Sequence, residues 1–483
     1  MPTDQPVDPS GKPLRWYQGL DRYCWVVLAI SALGWLFDTM DQNIWTLVRS
    51  ASLKDILDDK IQDPKQLAAE VKEKGGWITA IFLLGWSAGG FIFGILGDRL
   101  GRTKTMIITI LIYAVFTGGS GLVKSWELYA VMRFMTALGV GGEWAAGASL
   151  VAETFPQRSR PMALGLLQAL SAVGNMMAAG ITLGIGEMDT RWRWAYFVGA
   201  APALLVLWIR SSVKEPQKWK DAKEHATAGK EMGKIADLFL HPVLRRNTVA
   251  AVLMGTAGVG ALWGVGFFST DMLRGELLGA GQPAKKVSDL VSIMFLLQNL
   301  GSFFGIYLFA VFTERFNRRI AFFVSFALAW ASVLAYFWGV SGSGSGAFTR
   351  ALILAPVMGF CSLLPFSGYT IYFPELFPTR LRATGAGFCY NAARILAAGA
   401  PFALGSLSAA LEKQAPGKGF ALAATIVSSV YVLGFIGTSL GPETKGRPLP
   451  EDADFDVKPQ PVLPPGDAPP SPKGFFGGEN SKS

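Results

Sequence analysis

The sequence predicts an all-α polytopic membrane protein, with twelve transmembrane helices in two pseudo-symmetric six-helix halves. Three observations carry this. First, 51% of the 483 residues are hydrophobic and only 16% are charged, whereas a soluble domain carries about 25% charged residues. Second, Gly (56) and Pro (27) are abundant, as membrane helices tolerate. Third, loop sequences recur. ETFPQRSR at 153–160 returns as ELFPTRLR at 375–382, 222 residues later, and DRLGRT from Asp98 returns as ERFNRR from Glu314, 216 residues later. Two matches in the same order at nearly equal spacing imply parallel repeats about an axis along the membrane normal.

The elements follow in chain order. Residues 1–22 form a polar tail without the apolar run of a signal peptide, so the first membrane helix is expected to act as an uncleaved targeting segment. Apolar runs at 23–48, 76–97, 104–122, 127–152, 161–185 and 193–211 make up the N-terminal bundle, 23–211. Each is close to the roughly 20 residues that cross a bilayer. Between the first two, residues 51–75 have a helix-like pattern in which Lys54, Lys60, Lys65, Lys72 and Lys74 alternate with six acids. A basic linker, 212–246, separates the halves. The C-terminal bundle, 247–440, holds runs at 247–270, 287–312, 319–340, 348–373, 384–410 and 419–440. The tail, 441–483, is proline-rich from Pro448 to Pro472 and is expected to be extended or disordered.

The net charge of +9 lies mostly in short loops between apolar runs, which argues for membrane topology and against nucleic acid. Of 44 Lys and Arg, 27 fall in the termini and the even-to-odd loops and 15 in the opposite loops. Both termini are therefore expected to be cytoplasmic, in a plasma membrane (the inner membrane of a Gram-negative source). Cys24, Cys361 and Cys389 lie in apolar stretches, and His225 and His241 share one polar segment. No disulfide, metal or cofactor site is expected. The helices contain no nucleophile–base set and the chain has no phosphate loop, which argues against an enzyme or an ATP-driven pump.

Charge inside a bilayer costs roughly 2.5–3.5 kcal/mol per residue even on the mildest scale, so the few internal charges are the functional candidates. Asp38 and Asp41 are three residues apart and share a helix face. Arg133 on the fourth helix lies at similar depth, so an ion pair with one aspartate is expected. The other aspartate is then a proton-site candidate, weighed equally against a static salt bridge. Glu143, among glycines that favour close helix packing, is a second proton candidate. Arg394 on the eleventh helix, with Asn391 on its face and Tyr390 beside it, offers a planar fork matching a substrate carboxylate. The competing expectation is an internal acid such as Glu143. Gln168, Asn175, Gln298, Asn299, Tyr369 and Tyr372 either line a cavity or bond between helices. Trp86, Trp263 and Phe366 read as core or lipid-facing rather than substrate-stacking.

The segment Gly94, Leu96, Gly97, Asp98, Arg99, Gly101, Arg102, Lys104 resembles the loop motif of the major facilitator superfamily. Arg133, Gly139, Gly141, Gly142 and Glu143 are similar to its fourth-helix pattern, and PETKG at 442–446 to that of its sugar-porter-like members. The resemblance spans 20–447. Within the superfamily it leans towards proton-coupled organic-acid porters of the sialate/monocarboxylate and aromatic-acid groups, whose D-G-x-D stands here as Asp38-Thr39-Met40-Asp41, without the Gly. The absence of a His near the seventh and eighth helices lowers the aromatic-acid reading. The resemblance implies proton-coupled symport of a small carboxylate by alternating access, in a monomer whose partners are substrate, protons and lipid. It also implies an inner gate: Asp98, Arg99, Arg102, Glu153, Arg158 and Arg160, with counterparts Glu314, Arg315, Arg318, Arg319, Glu375, Arg380 and Arg382. The alternatives are a sugar, polyol or osmolyte porter and a non-transporting sensor of the same fold. The fifth helix has no internal Pro, which argues against a drug antiporter.

Overall fold

The computed structural model describes residues 15–58, 61, 63–185, 188–201, 203–225, 231–397 and 399–456. The first 14 residues and 457–483 lie outside these; the described part of the tail expected to be extended or disordered, 441–456, instead packs on the protein through Leu449 and Asp452 and ends in a short helix, Ala453–Asp456. The described residues contain no strand. Besides the short helices Gln217–Glu224, Asp237–Leu240 and Ala453–Asp456, twelve longer helical segments run in order among the described residues: α1 Arg22–Leu57, α2 Pro64–Leu100, α3 Arg102–Ser120, α4 Trp126–Thr154, α5 Arg160–Ile185, and α6, built from Met188–Gly199 and Ala203–Ser212. The second set is α7 (Pro242–Gly264 and Ser269–Gly279), α8 Ala284–Arg315, α9 Arg318–Val340, α10 Ala347–Glu375, α11 (Arg382–Ala397 and Ala400–Gln414) and α12 (Gly419–Ser428 and Tyr431–Leu440).

Nine segments among the described residues are long and apolar enough to cross a membrane. The other three are α4, which carries Glu127, Arg133, Glu143 and Glu153, and α6 and α11, each in two shorter pieces. Helices 1 and 2 run well past the apolar runs that mark them, to Leu57 and back to Pro64. The charge-balanced residues between them thus extend two helices instead of forming a separate polar segment. An apolar run reports where lipid is, not where helical hydrogen bonding ends.

Within the first half α2 packs on α4, α3 on α4 and α1 on α5; within the second, α8 and α9 pack on α10, and α7 on α11 and α12. Two seams join the halves, α5 against α8 and α2 against α11. They exchange under the internal repeat, since each pairs equivalent helices. The α2–α4 approach depends on small residues. A Cβ on Gly141 would overlap the backbone carbonyl of Trp86, so the helices can touch only where side chains are missing. Large apolar side chains such as Leu84, Val115, Leu204, Phe304 and Ile353 are left on the outer surface, where lipid tails cover them.

Residues 16–18, the α4–α5 turn, the linker and the C-terminal segment meet on one face. Ser159 and Arg158 donate to the carbonyls of Trp16 and Gln18, and Glu443 accepts from the amides of Arg318 and Arg319 at 3.0 and 3.1 Å. This is called the terminal face below.

Gly141→Val should force α2 and α4 apart, costing roughly 1–3 kcal/mol as overpacked cores do. Gly180→Val, where an added Cβ meets nothing, should be neutral. Thermal unfolding of the detergent-purified variants checks both.

Candidate functional site

Two charged layers lie along the seam between the halves, one near mid-membrane and one at the terminal face. The inner layer begins with Asp41 on α1. Its Oδ2 pairs with Arg133 Nη1 on α4 at 3.2 Å, and its Oδ1 accepts from Thr117 Oγ1 at 2.7 Å. Arg133 also donates to Ser120 Oγ (2.8 and 3.1 Å) and Thr136 Oγ1 (3.1 Å) and lies 4.7 Å over the Tyr196 ring. Both partners are fully buried. This arginine is saturated within its own half, as a buried cation must be.

One turn along α1 the situation reverses. The Asp38 and Glu143 carboxyl groups are buried within hydrogen-bond reach of each other and accept from no other donor among the described residues. The two carboxyl groups face each other, with Asp41 and Arg394 next in electrostatic range of Asp38. Gly34 makes room for this. A Cβ there would overlap the Glu143 carboxyl group. The hydroxyl of Tyr113, which senses the same carboxyl groups, is also unpartnered. Buried polar groups are nearly always paired, so this cluster is taken as the candidate site.

Across the seam, Arg394 of α11 is 8% exposed and has no acid within ion-pair distance among the described residues. Its Nη1 donates to Asn391 Oδ1 at 2.8 Å, and its guanidinium carbon lies 4.0 Å from the Trp86 ring and 4.1 Å from the Tyr390 ring. Asn391 is held in turn by the Gly387 carbonyl at 2.8 Å. Two aromatic faces steady the cation without neutralising it. Tyr390 stacks on Trp144 with centroids 4.4 Å apart. Trp144 Nε1 and, from the other half, Thr370 Oγ1 donate to Gln168 Oε1 at 3.1 and 2.9 Å. Gln168 therefore ties α4, α5 and α10 together beside the arginine.

The remaining expected residues lie elsewhere. The Tyr369 hydroxyl donates to the Met254 carbonyl at 2.7 Å, and that of Tyr372 to the Pro442 carbonyl at 2.6 Å; both join helices. Gln298 accepts from Ser269 Oγ at 3.1 Å. It lines a small cavity of about 70 Å³, partly open to solvent, with Ser171, Asn175, Ser269, Asn299 and Ser302. This cavity holds no charged side chain and neither Arg394 nor Asp38. The open space and the unpaired charges do not coincide. The charges carry more weight for an anion, because only they supply a counter-charge. Trp86, which reads from sequence as core or lipid-facing, lies against Arg394.

The second layer closes the terminal face. Arg102 pairs with Asp98 at 2.7 Å and with both oxygens of Glu153 at 2.9 and 3.3 Å. The repeat reproduces this: Arg318 meets Glu375 at 2.9 and 3.2 Å. Glu215 and Glu443 complete the repeat, each accepting two amides at the start of the third helix of its half, Thr103 with Lys104 and Arg318 with Arg319. Glu443 belongs to the PETKG run, whereas Glu215 does not stand out in the sequence; each follows the last helix of its half and adjoins a Pro. Bonds between the halves come mainly from one side. Arg382 reaches Glu153 at 2.8 Å, Asp98 accepts from the amides of Ala383 and Thr384 at 3.1 and 2.8 Å, and Arg102 donates to the Thr379 carbonyl at 2.8 Å. Arg380 ties the linker and the C-terminal segment together through Asp237 (2.5 Å) and Asp452 (2.6 Å). Arg99 donates to the Met232 carbonyl at 3.1 Å. Glu314 and Arg315 are exposed, and the Nε of buried Arg160 has no hydrogen-bond partner among the described residues.

The family model for the Major Facilitator Superfamily matches residues 66–401. The chain belongs to this superfamily. It is 30% identical to the sialic acid transporter NanX of Escherichia coli (strain K12), over 65% of this chain and 72% of the relative. It is 27% identical to a probable 4-methylmuconolactone transporter of Cupriavidus pinatubonensis (strain JMP 134 / LMG 1197), over 80% and 86%. The solved structure of the proton:xylose symporter XylE bound to 6-bromo-6-deoxy-D-glucose superposes with a TM-score of 0.72 at 15% identity, covering 88% of this chain and 98% of that one. That likeness shows the fold. The chain is a multi-pass membrane transporter, not an enzyme.

Glu153→Gln leaves Arg102 and Arg382 without their shared carboxylate. Breaking a buried pair costs about 3–5 kcal/mol, so the thermal midpoint should fall and a cysteine at Thr384→Cys should label faster. Glu314→Gln, at an exposed and unpaired position, should change neither.

Proposed function

We propose that this transporter is a proton-coupled symporter of a small organic acid, with Arg394 as the carboxylate anchor and the Asp38–Glu143 pair as the proton site. The observation that carries this is the aromatic-clamped Arg394, without an acid at ion-pair distance, beside two buried carboxyl groups that meet only each other. A buried cation lacking an acid is costly, and a substrate carboxylate compensates it through two parallel hydrogen bonds. Relatives named for sialic acid and 4-methylmuconolactone transport, both carboxylic acids, support the same class.

Coupling follows from proximity. When Asp38 and Glu143 are ionised, their charge competes with the substrate for Arg394. A proton on the pair removes the competitor, so proton and anion load together. The terminal-face network then holds that side shut until the loaded centre permits the halves to rock, with the network as the bistable element. Positive-inside charge places the terminal face in the cytoplasm, so the described conformation is the one closed to the cytoplasm. Asp41, saturated by Arg133, anchors the site electrostatically and does not carry the transported proton.

The neutral cavity lined by Asn175, Gln298 and Asn299 favours a second reading, a sugar or polyol porter. Uptake into proteoliposomes with an imposed pH gradient separates the two. The account predicts accumulation of labelled lactate, pyruvate, sialate or an aromatic acid that collapses with a protonophore. Gradient-insensitive uptake of a neutral sugar alone would sink it. Arg394→Ala should lower affinity for the transported acid at least about tenfold, the worth of one lost charge-assisted hydrogen bond. Asp38→Asn should abolish gradient-driven accumulation while leaving exchange.

A further inference from the structure

Trp86 belongs to the first half and Arg394 to the second, yet the Trp86 ring lies 4.0 Å from the guanidinium carbon. Gly90, one turn along α2, permits this approach. A Cβ there would overlap the amide of Asn391, the residue that accepts from Arg394 at 2.8 Å. Phe82, one turn back, meets the Trp86 ring edge-on with centroids 5.8 Å apart. The indole is thus held between a ring of its own helix and the cation of α11.

One atom of this indole is left over. An indole nitrogen is a donor and nothing else, and that of Trp86 is buried with no acceptor among the described residues. Other indoles find one. Trp144 donates to Gln168 at 3.1 Å, Trp330 to Ser428 at 3.1 Å and Trp219 to the Asp98 carbonyl at 2.6 Å. Trp35 also lacks an acceptor, but the rings stacked on Arg394 are those of Trp86 and Tyr390. Since Nε1 is an atom of the stacked ring, it stands within a few ångström of the guanidinium. A stacked ring covers a face of the guanidinium, whereas the N–H groups leave along its edge. A carboxylate paired with that edge brings the substituents of its neighbouring carbon within reach of the indole.

We propose that the Trp86 N–H is a specificity-determining donor that bonds an oxygen on the carbon next to the substrate carboxylate, so that the transported acid is an α-hydroxy or α-oxo acid. This rests on Arg394 as the carboxylate anchor and adds the substituent that the anchor alone does not choose. An acid without that oxygen leaves a buried donor unpaired, and a site built to donate a hydrogen bond rejects such analogues. Because the two groups belong to different halves, the substrate bonds both halves at once.

Calorimetry on the full chain in phosphatidylcholine nanodiscs tests this with two sets of acids, all ionised at one pH. One set is propionate, lactate and pyruvate; the other is phenylacetate, mandelate and phenylglyoxylate. In a set that binds, both oxygenated acids should bind at least about tenfold tighter than the plain acid. Trp86→Phe keeps an aromatic ring and removes the N–H, so that ratio should fall close to one. A ratio close to one in the native protein overturns the proposal, and so does a ratio that Trp86→Phe leaves unchanged. The oxo acids accept a hydrogen bond there but cannot donate one. A preference confined to the hydroxy acid therefore overturns the proposal in the native protein alone, whatever the stability of the variant. Failure of the anchor itself shows differently: no acid of either set binds, or Arg394→Ala binds every acid as tightly as the native protein. The proposal then falls together with the anchor. Weaker binding of every acid by Arg394→Ala, with a native ratio close to one, sinks the donor role and leaves the anchor standing.

Discussion

Desolvation of charge is the constraint on which the rest of this structure depends. A guanidinium or carboxylate inside a helical membrane protein is tolerated only when a partner compensates it. Asp41 with Arg133, Arg102 with Asp98 and Glu153, and Arg318 with Glu375 all obey this, with no exposure above a few per cent. They hold helices together within each half. The departures are therefore informative. Arg394 and the Asp38–Glu143 pair are buried without an opposite charge at ion-pair distance among the described residues, which is why the proposed function is built on them.

The internal repeat explains the design of the gate and its asymmetry. Equivalent arginine–glutamate pairs sit at matching positions in both halves with nearly equal distances. The bonds between halves are not doubled. Asp98 accepts amides from Ala383 and Thr384; the repeat-equivalent of Ala383 is Pro161, which has no amide hydrogen to give. Glu314, the equivalent of Asp98, is accordingly left exposed. One substitution and Thr444, whose hydroxyl donates to Glu375 at 2.6 Å, turn a symmetric lock into a one-sided one. Fewer bonds then need to break for the terminal face to open.

Much of this was legible in the sequence. The two halves follow from the repeated loops, and an Asp–Arg133 pair follows from depth and helix direction. Which aspartate pairs did not follow, because Asp38 and Asp41 share a face. Thr117 and Ser120 of α3, which no spacing in α1 or α4 reveals, decide it. The aromatic clamp on Arg394 was likewise hidden, since Trp86 comes from the other half and a lone Trp in an apolar run is ordinary. Tyr369, open in the sequence between lining a cavity and bonding between helices, donates to a carbonyl of α7. Side-chain type reports what a residue can bond, and only packing decides with what.

Central to the account is competition between the Asp38–Glu143 pair and a substrate carboxylate for Arg394. The most direct measurement is equilibrium binding of the transported acid as a function of pH, by calorimetry or Trp86 fluorescence, in the native protein and in the double variant Asp38→Asn, Glu143→Gln. The account predicts that native affinity falls as pH rises, and that the double variant binds undiminished at every pH. Persistent pH dependence in the double variant, or loss of its binding at low pH, would contradict it.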